Sequence, residues 1–317
     1  MRKSFFVLLA VACCACSKGV VSPSDVKEEV VELGFSVPVA ASKVSGLVAE
    51  DAVESLQVFV FGEDGQLQSS GVADGNSLTL TCSTGEKEIA AVVNATTLEG
   101  VNDLDGLKER MADFGDNALE HFVMSGLKSE ELTASGSVEI PVSRCVSKVT
   151  LSSVKRDFKL EQHKTMDFEL LSVFLTNVPE QTGLFKPLQS DALINECVSD
   201  MEIIKVSGGD LLYDDLDELP VAQGEAADVG NFLYCYPNIL ADPARPAYLV
   251  LQTRLGSGVY YYSVGLPQME ANKCYSVSLT VTMPGSLTPD VPVKKEDAVF
   301  SVDVAEWAGN IDVNETI

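Results

Sequence analysis

The chain has two histidines, His121 and His163, each with a glutamate close by, Glu120 and Glu161. A protein metal site draws three or four ligands from closely spaced His, Cys, Asp or Glu, and neither histidine has such spacing. Both read as solvated or capping side chains. Gly-x-Ser-x-Gly is absent, so no nucleophile elbow is indicated. Leu255-Gly256-Ser257-Gly258 lacks the Lys-Ser/Thr that would follow in a phosphate loop and reads as a hairpin turn. Residues 210–218, with Asp214, Asp215 and Asp217, could offer oxygens to calcium, but they lack the spacing and central glycine of an EF-hand and read as a solvated loop. Paired carboxylates for glycoside hydrolysis meet only in three dimensions, and no spacing marks a pair. The expectation is no enzyme, no cofactor and no metal.

Cysteine chemistry has a different place. Arg2 and Lys3 precede the apolar run from Phe5 to Ala12, which is too short to span a bilayer as a helix. Cys13-Cys14-Ala15-Cys16-Ser17-Lys18 follows, a layout that resembles a bacterial lipobox. Cys16, between Ala15 and Ser17, is the expected site of a diacylglyceryl thioether, and Cys13 is the competing choice. Acylation there would make an outer-membrane lipoprotein precursor, since several chains at about 0.8 kcal/mol per buried methylene anchor stably. An ordinary cleaved signal peptide is the plainer reading. Downstream lie Cys82, Cys145, Cys197, Cys235 and Cys274, an odd number without a C-x-x-C pair. Zinc and a dense disulfide framework are therefore unexpected. These cysteines read as small buried hydrophobes, with one disulfide left open.

The elements that carry these residues are mostly strands. With 317 residues, 46% hydrophobic and 22% charged, the chain can build two domains with real cores. Its 47 acidic against 22 basic residues, a net charge of −25, exclude nucleic acid as a natural partner. After a tether over residues 17–30, period-two alternation marks residues 33–39, with Leu33, Phe35, Val37 and Val39 on one face. Further strands fall at 56–61, 77–82, 87–94, 138–142 and 145–151. In the second half they fall at 168–177, 231–236, 248–253, 260–264, 274–282 and 300–304. Val101, Leu104, Leu107 and Met111 predict an amphipathic helix over residues 101–114. The pattern is that of a mainly β protein, two antiparallel β-sandwich domains with one or two short helices. Their boundaries are set at 31–147 and 148–317, after a leader over residues 1–16. No later run is long enough for a transmembrane helix.

Several segments together resemble the fimbrillin family, the pilin-like lipoproteins of type V fimbriae. They are the lipobox leader with its first strand, Ala91-Val92-Val93-Asn94-Ala95, Phe122-Val123-Met124-Ser125-Gly126, and the strand from Val142 to Val149 carrying Arg144 and Lys148. To these add Tyr260-Tyr261-Tyr262-Ser263-Val264, Asn272-Lys273-Cys274-Tyr275-Ser276-Val277, Pro289 and Val302-Asp303-Val304-Ala305-Glu306-Trp307. The resemblance implies transthyretin-like sandwiches and a surface fimbrium supporting adhesion. It also implies polymerisation in which a protease removes the first strand and another subunit's C-terminal segment fills the groove. On that reading the displaced strand carries Leu33, Phe35, Val37 and Val39. The cut falls in the loop at Lys43 and Val44, and the donor lies in residues 299–317, with Ile311, Val313 and Ile317 on one face if extended. Partners are then other fimbrial subunits, the outer membrane through the lipid, and a ligand on a host or bacterial surface.

One departure concerns processing. The family's best-known cut follows an arginine, and no arginine lies between Arg2 and Arg110. Either a different protease acts at Lys43, or the strand is kept and the chain is an anchor or accessory subunit. A glycan-binding surface lipoprotein is the competing class. It would need exposed aromatic platforms, whereas Trp307 is expected in the core and Tyr260, Tyr261 and Tyr262 alternate across a strand.

Overall fold

The computed structural model describes residues 29–38, 50–196, 209–238 and 245–307. In the first half the strands are β1 (Val30–Ser36), β2 (Ser55–Phe61), β3 (Leu67–Asp74), β4 (Ser77–Ser83) and β5 (Gly85–Val93). After them come helix α1 (Leu104–Lys108), β6 (Met111–Asp113), β7 (Met124–Leu132), β8 (Gly136–Glu139) and β9 (Ser143–Arg144). The second half holds β10 (Ser147–Arg156), helix α2 (Glu161–Lys164), β11 (Phe168–Thr176), β12 (Val178–Pro179), β13 (Gln181–Gly183) and β14 (Leu193–Ile194). It ends with β15 (Tyr213–Pro220), β16 (Ala226–Cys235), β17 (Tyr248–Leu255), β18 (Gly258–Gly265), β19 (Lys273–Val281) and β20 (Ala298–Glu306). The protein is mainly β, as its patterning predicts.

Two sheets form the first sandwich, one ordered β4-β1-β8 and the other β3-β2-β5-β7-β9. Val31, Leu33, Phe35 and Val37 meet Leu56, Val58, Val60, Ile89, Ala91 and Val93 between them. The alternate residues of the same two central strands, Phe59, Phe61, Ala90 and Val92, face a second core. Burial on both faces explains why β2 and β5 read as nearly unbroken apolar runs rather than alternations. The second sandwich packs β16-β10-β19-β20 against β15-β11-β17-β18. Its core is continuous with the apolar residues behind β2 and β5. A short ladder, β6 with β13, ties the halves together.

Two local expectations are corrected. The helix over residues 101–114 shrinks to five residues, α1, capped by the Asp103 carboxylate accepting from Gly106 N–H at 2.7 Å. Gly106 weakens any longer helix, and Met111 is drawn instead into β6, where Met111–Asp113 pairs with Gln181–Gly183. The acidic stretch at 210–218 is not a solvated loop: it leaves a 3-10 turn at Gly209–Leu211 and makes up most of β15, an edge strand paired with β11. Leu216 is buried, whereas Asp215, Asp217 and Glu218 are exposed, Glu218 pairing with Arg254, and half-buried Asp214 accepts from Asn231. Asp217 and Glu218 adopt positive φ where the ladder register shifts. By contrast, the turn at 255–258 is the expected hairpin between β17 and β18, with Gly256 at φ 58°.

Candidate assembly site

β1 occupies the middle of its sheet. It runs antiparallel to β4 over the whole of Val30 to Ser36 and parallel to β8 from Leu33 to Ser36. Backbone bonds extend the seam at both ends, from Thr84 N–H to the Glu29 carbonyl at 2.8 Å and from Val37 N–H to the Asn76 carbonyl at 3.0 Å. Leu33, Phe35 and Val37 are 2%, 0% and 1% exposed, so three of the four first-strand residues singled out in the sequence share one buried face. Val39, the fourth, lies outside the described residues, as do Lys43, Val44, Cys13, Cys16, Ile311, Val313 and Ile317. Without β1, β4 and β8 would face each other across an apolar slot with unpaired backbone groups on both walls.

The last strand, β20, is the reverse case. It pairs along its length with β19 and, among the described residues, with no other strand. Val299, Phe300 and Val304 remain exposed at 59%, 40% and 56%. In the facing sheet the corresponding edge, β18, is covered. Tyr261 and Ser286 exchange backbone bonds at 2.8 and 2.9 Å, and Val293 N–H donates to the Ser263 carbonyl at 2.9 Å. The uncovered apolar edge of the second sandwich therefore lies along β20.

A polar cluster joins the chain entering β2 to the end of β20. The Glu50 carboxylate accepts from Lys148 Nζ at 2.7 Å, the Tyr234 hydroxyl at 2.7 Å and Trp307 Nε1 at 2.9 Å. Arg144, 2% exposed, pairs with Asp51 and donates to the Glu50 carbonyl and to Asn272 Oδ1, both at 3.1 Å. Its guanidinium lies 4.5 Å from the Trp307 ring centre, while Tyr234 stacks on the same indole at 5.8 Å. Burial pushes the Glu50 carboxyl up, but the bonds from Lys148 and Tyr234, the Lys148 charge and the Trp307 N–H outweigh it and hold the group below its ordinary value. Burial lowers Arg144 and raises Tyr234, so the cluster is a carboxylate among donors. Arg144 and Lys148 stood out in the sequence as a strand pair. Glu50 did not, because its partners are 98 to 257 residues away.

The other residues with chemical potential stay apart. His121 Nδ1 lies 3.1 Å from Glu54 Oε2 at the surface, and His163 packs edge-on against Phe158. Among the described residues no three His, Cys, Asp or Glu side chains gather into a metal site. Cys82, Cys145, Cys235 and Cys274 are free, and Cys197 lies outside the described residues. Burial lifts Cys145 to about 11 and Cys235 to about 12, which keeps both as inert thiols. Among the described residues no helix is long and apolar enough to cross a membrane. Tyr261 and Tyr262 are buried, and so is Trp307.

Residues 37–151 match the family model of the major fimbrial subunit protein (FimA). No curated protein matches the chain. A candidate cell adhesion protein from Bacteroides eggerthii DSM 20697 shares the fold with a TM-score of 0.66 at 18% identity, over 90% of this chain and 98% of its own. A fimbrilin (FimA) from Porphyromonas gingivalis W83 gives 0.63 at 13% identity, over 87% and 97%. The tip fimbrial protein Mfa3 from Porphyromonas gingivalis, with a C-terminal truncation, gives 0.51 at 15% identity, over 88% and 100%. Residues 37–151 are thus similar to the major fimbrial subunit family, and along most of its length the chain shares its fold with these solved proteins.

Proposed function

We propose that the protein is a structural subunit of a cell-surface fimbrium that supports adhesion and polymerises by strand exchange, its work being assembly and not catalysis. The observation that carries this reading is the central position of β1, between β4 and β8, with Val31, Leu33 and Phe35 filling the core against the facing sheet. Burying a large apolar side chain contributes about 1.5–3 kcal/mol, so Val31, Leu33 and Phe35 on β1 with Val37 just beyond it leave a slot worth on the order of 6–12 kcal/mol to an incoming strand. Unpaired backbone on β4 and β8 adds directionality, as in other cases of strand addition.

The donor is assigned to residues 299–317, whose described part is the exposed edge strand β20. Its extension carries Ile311, Val313 and Ile317, and seven extended residues cover roughly 23 Å. Removal of β1 follows a cut at Lys43 and Val44. Before that cut, acylated Cys16 (or Cys13) holds the precursor on the outer membrane. Apart from β6 with β13, strands up to β9 pair among themselves, as do those from β10 onward, which supports a domain division next to the proposed 147/148, just before Ser147 opens β10.

Deleting residues 310–317 tests the donor. The truncated subunit is expected to fold and be exported but to form no ladder of polymers on mildly denaturing gels. Ladders of unchanged length would sink the assignment. An uncleaved anchor subunit is the second reading, favoured by the absence of arginine between Arg2 and Arg110. The glycan-binding alternative loses its platforms, because Tyr261, Tyr262 and Trp307 are all buried.

A further inference from the structure

Trp307 does more than end a strand. β20 lies at one side of its sheet, and Tyr234 lies on β16 at the other, with β19 and β10 between. The indole crosses the sheet end to stack on Tyr234 and approach Phe122 at 6.2 Å. Its N–H is fixed by Glu50, a residue on the chain that connects β1 to β2. Apart from this clasp, β20 is held by one ladder to β19, buried Ala298, half-buried Val302, an ion pair between Glu306 and Lys273, and a backbone bond from Trp307 N–H to the Asn272 carbonyl at 3.3 Å.

We propose that Glu50 is an autoinhibitory lock, which from the segment following β1 clasps Trp307 and so keeps the last strand docked in the unassembled subunit. Its carboxylate is the only group in the cluster that touches Lys148, Tyr234 and the indole N–H together. Withdrawal of Glu50 leaves the indole N–H without its acceptor and Lys148 without its counter-charge. β20 then keeps its ladder to β19, the Lys273–Glu306 ion pair, buried Ala298 and the stacking of Trp307, but loses the clasp at its end. The lock places the exit of the first strand and the start of the C-terminal tail under one contact. It rests on the strand-exchange reading for its purpose, but not for its existence.

Trp307 is the sole tryptophan, so its fluorescence reports the clasp directly. In the full-length chain, Glu50→Ala is expected to shift Trp307 emission to the red. Amide exchange over residues 298–306 should speed up by about tenfold or more, as loss of a hydrogen bond to a charged group predicts. Exchange over residues 168–176 and 248–255, strands that hold no partner of Glu50, should stay as it is. Unchanged emission with unchanged exchange would overturn the lock. So would an equal acceleration in every strand, because Glu50 would then stabilise the whole fold. If Glu50→Ala does not fold, Trp307→Phe decides, since it keeps the aromatic packing and deletes only the N–H donor. Faster exchange confined to β20 is expected there too, and none would overturn the proposal. Polymerisation is scored separately. A released β20 without polymers keeps the lock and sinks strand exchange, whereas polymers with a protected β20 do the reverse.

Discussion

A carboxylate surrounded by three donors resists protonation, and Glu50 shows what that does to the molecule's acid response. Lys148, Arg144, Tyr234 and Cys274 face the group, and Asp51 sits beside it on Arg144. Its folded pKa lies below the ordinary 4.5, so its stabilisation is complete above 4.5 and is lost as pH falls through the lower folded value. Trp307 emission is therefore expected to hold steady from neutrality to about pH 5 and to move red below the ordinary carboxylate range. Glu50→Gln removes that component, while any acid response of Asp51 remains. Identical titrations in the two proteins would refute a role for Glu50. Sequence reading reached Trp307, as a core residue, and the Arg144–Lys148 pair. It missed the cluster because Glu50, Lys148, Tyr234 and Trp307 lie far apart in the chain and meet only after both sandwiches form. The two histidines attracted attention by residue type alone, and folding brings neither to a ligand set.

Elements were easier to read than contacts. Alternation located β1, β10 and β19, because each has one face that the core selects, and it also located β20, although that strand lies mostly exposed. The failures have physical reasons. Val101, Leu104, Leu107 and Met111 satisfy a helical period, yet Gly106 and the pull of β13 divide the segment between α1 and β6. Carboxylates in β15 mimic a loop because an edge strand needs only one partner and leaves them in water. Gly126 shows a constraint hidden from composition: a Cβ there would meet the Pro141 carbonyl oxygen at 1.9 Å, so β7 must pass that chain bare. β1 also yields a test of its own. Phe35 is fully buried, and truncating a buried Phe costs about 3–5 kcal/mol. Phe35→Ala is expected to lower the denaturation midpoint of the uncleaved precursor while leaving the mature, assembled form unaffected. An equal loss in both forms would mean that β1 stays in the fibre.

At the scale of the molecule, the question is which ends of the chain survive into the assembly. The net charge of −25 keeps isolated subunits apart, so association has to rest on a specific apolar and backbone-paired contact rather than on surface attraction. Among the described residues, β1 covers an apolar slot and β20 is an edge strand with Val299, Phe300 and Val304 exposed. They belong to different sandwiches, which is the arrangement a head-to-tail fibre requires. On the proposed strand exchange the slot opens by a cut between β1 and Glu50, and Lys43 is the only basic residue of residues 40–46. A new N-terminus near Val44 would leave Glu50 a few residues from the chain end, tethered more loosely than in the precursor, so that cutting and unlocking would reinforce each other. Two forms are then expected on the cell. A membrane-bound precursor should carry acyl groups on Cys16, and sheared fibres should begin at or near Val44 with no lipid. N-terminal sequencing and intact mass of the two fractions read both at once. Fibres that begin at an acylated Cys16 would show that β1 is retained, and the protein would then be the anchor or terminal subunit instead of the repeating one.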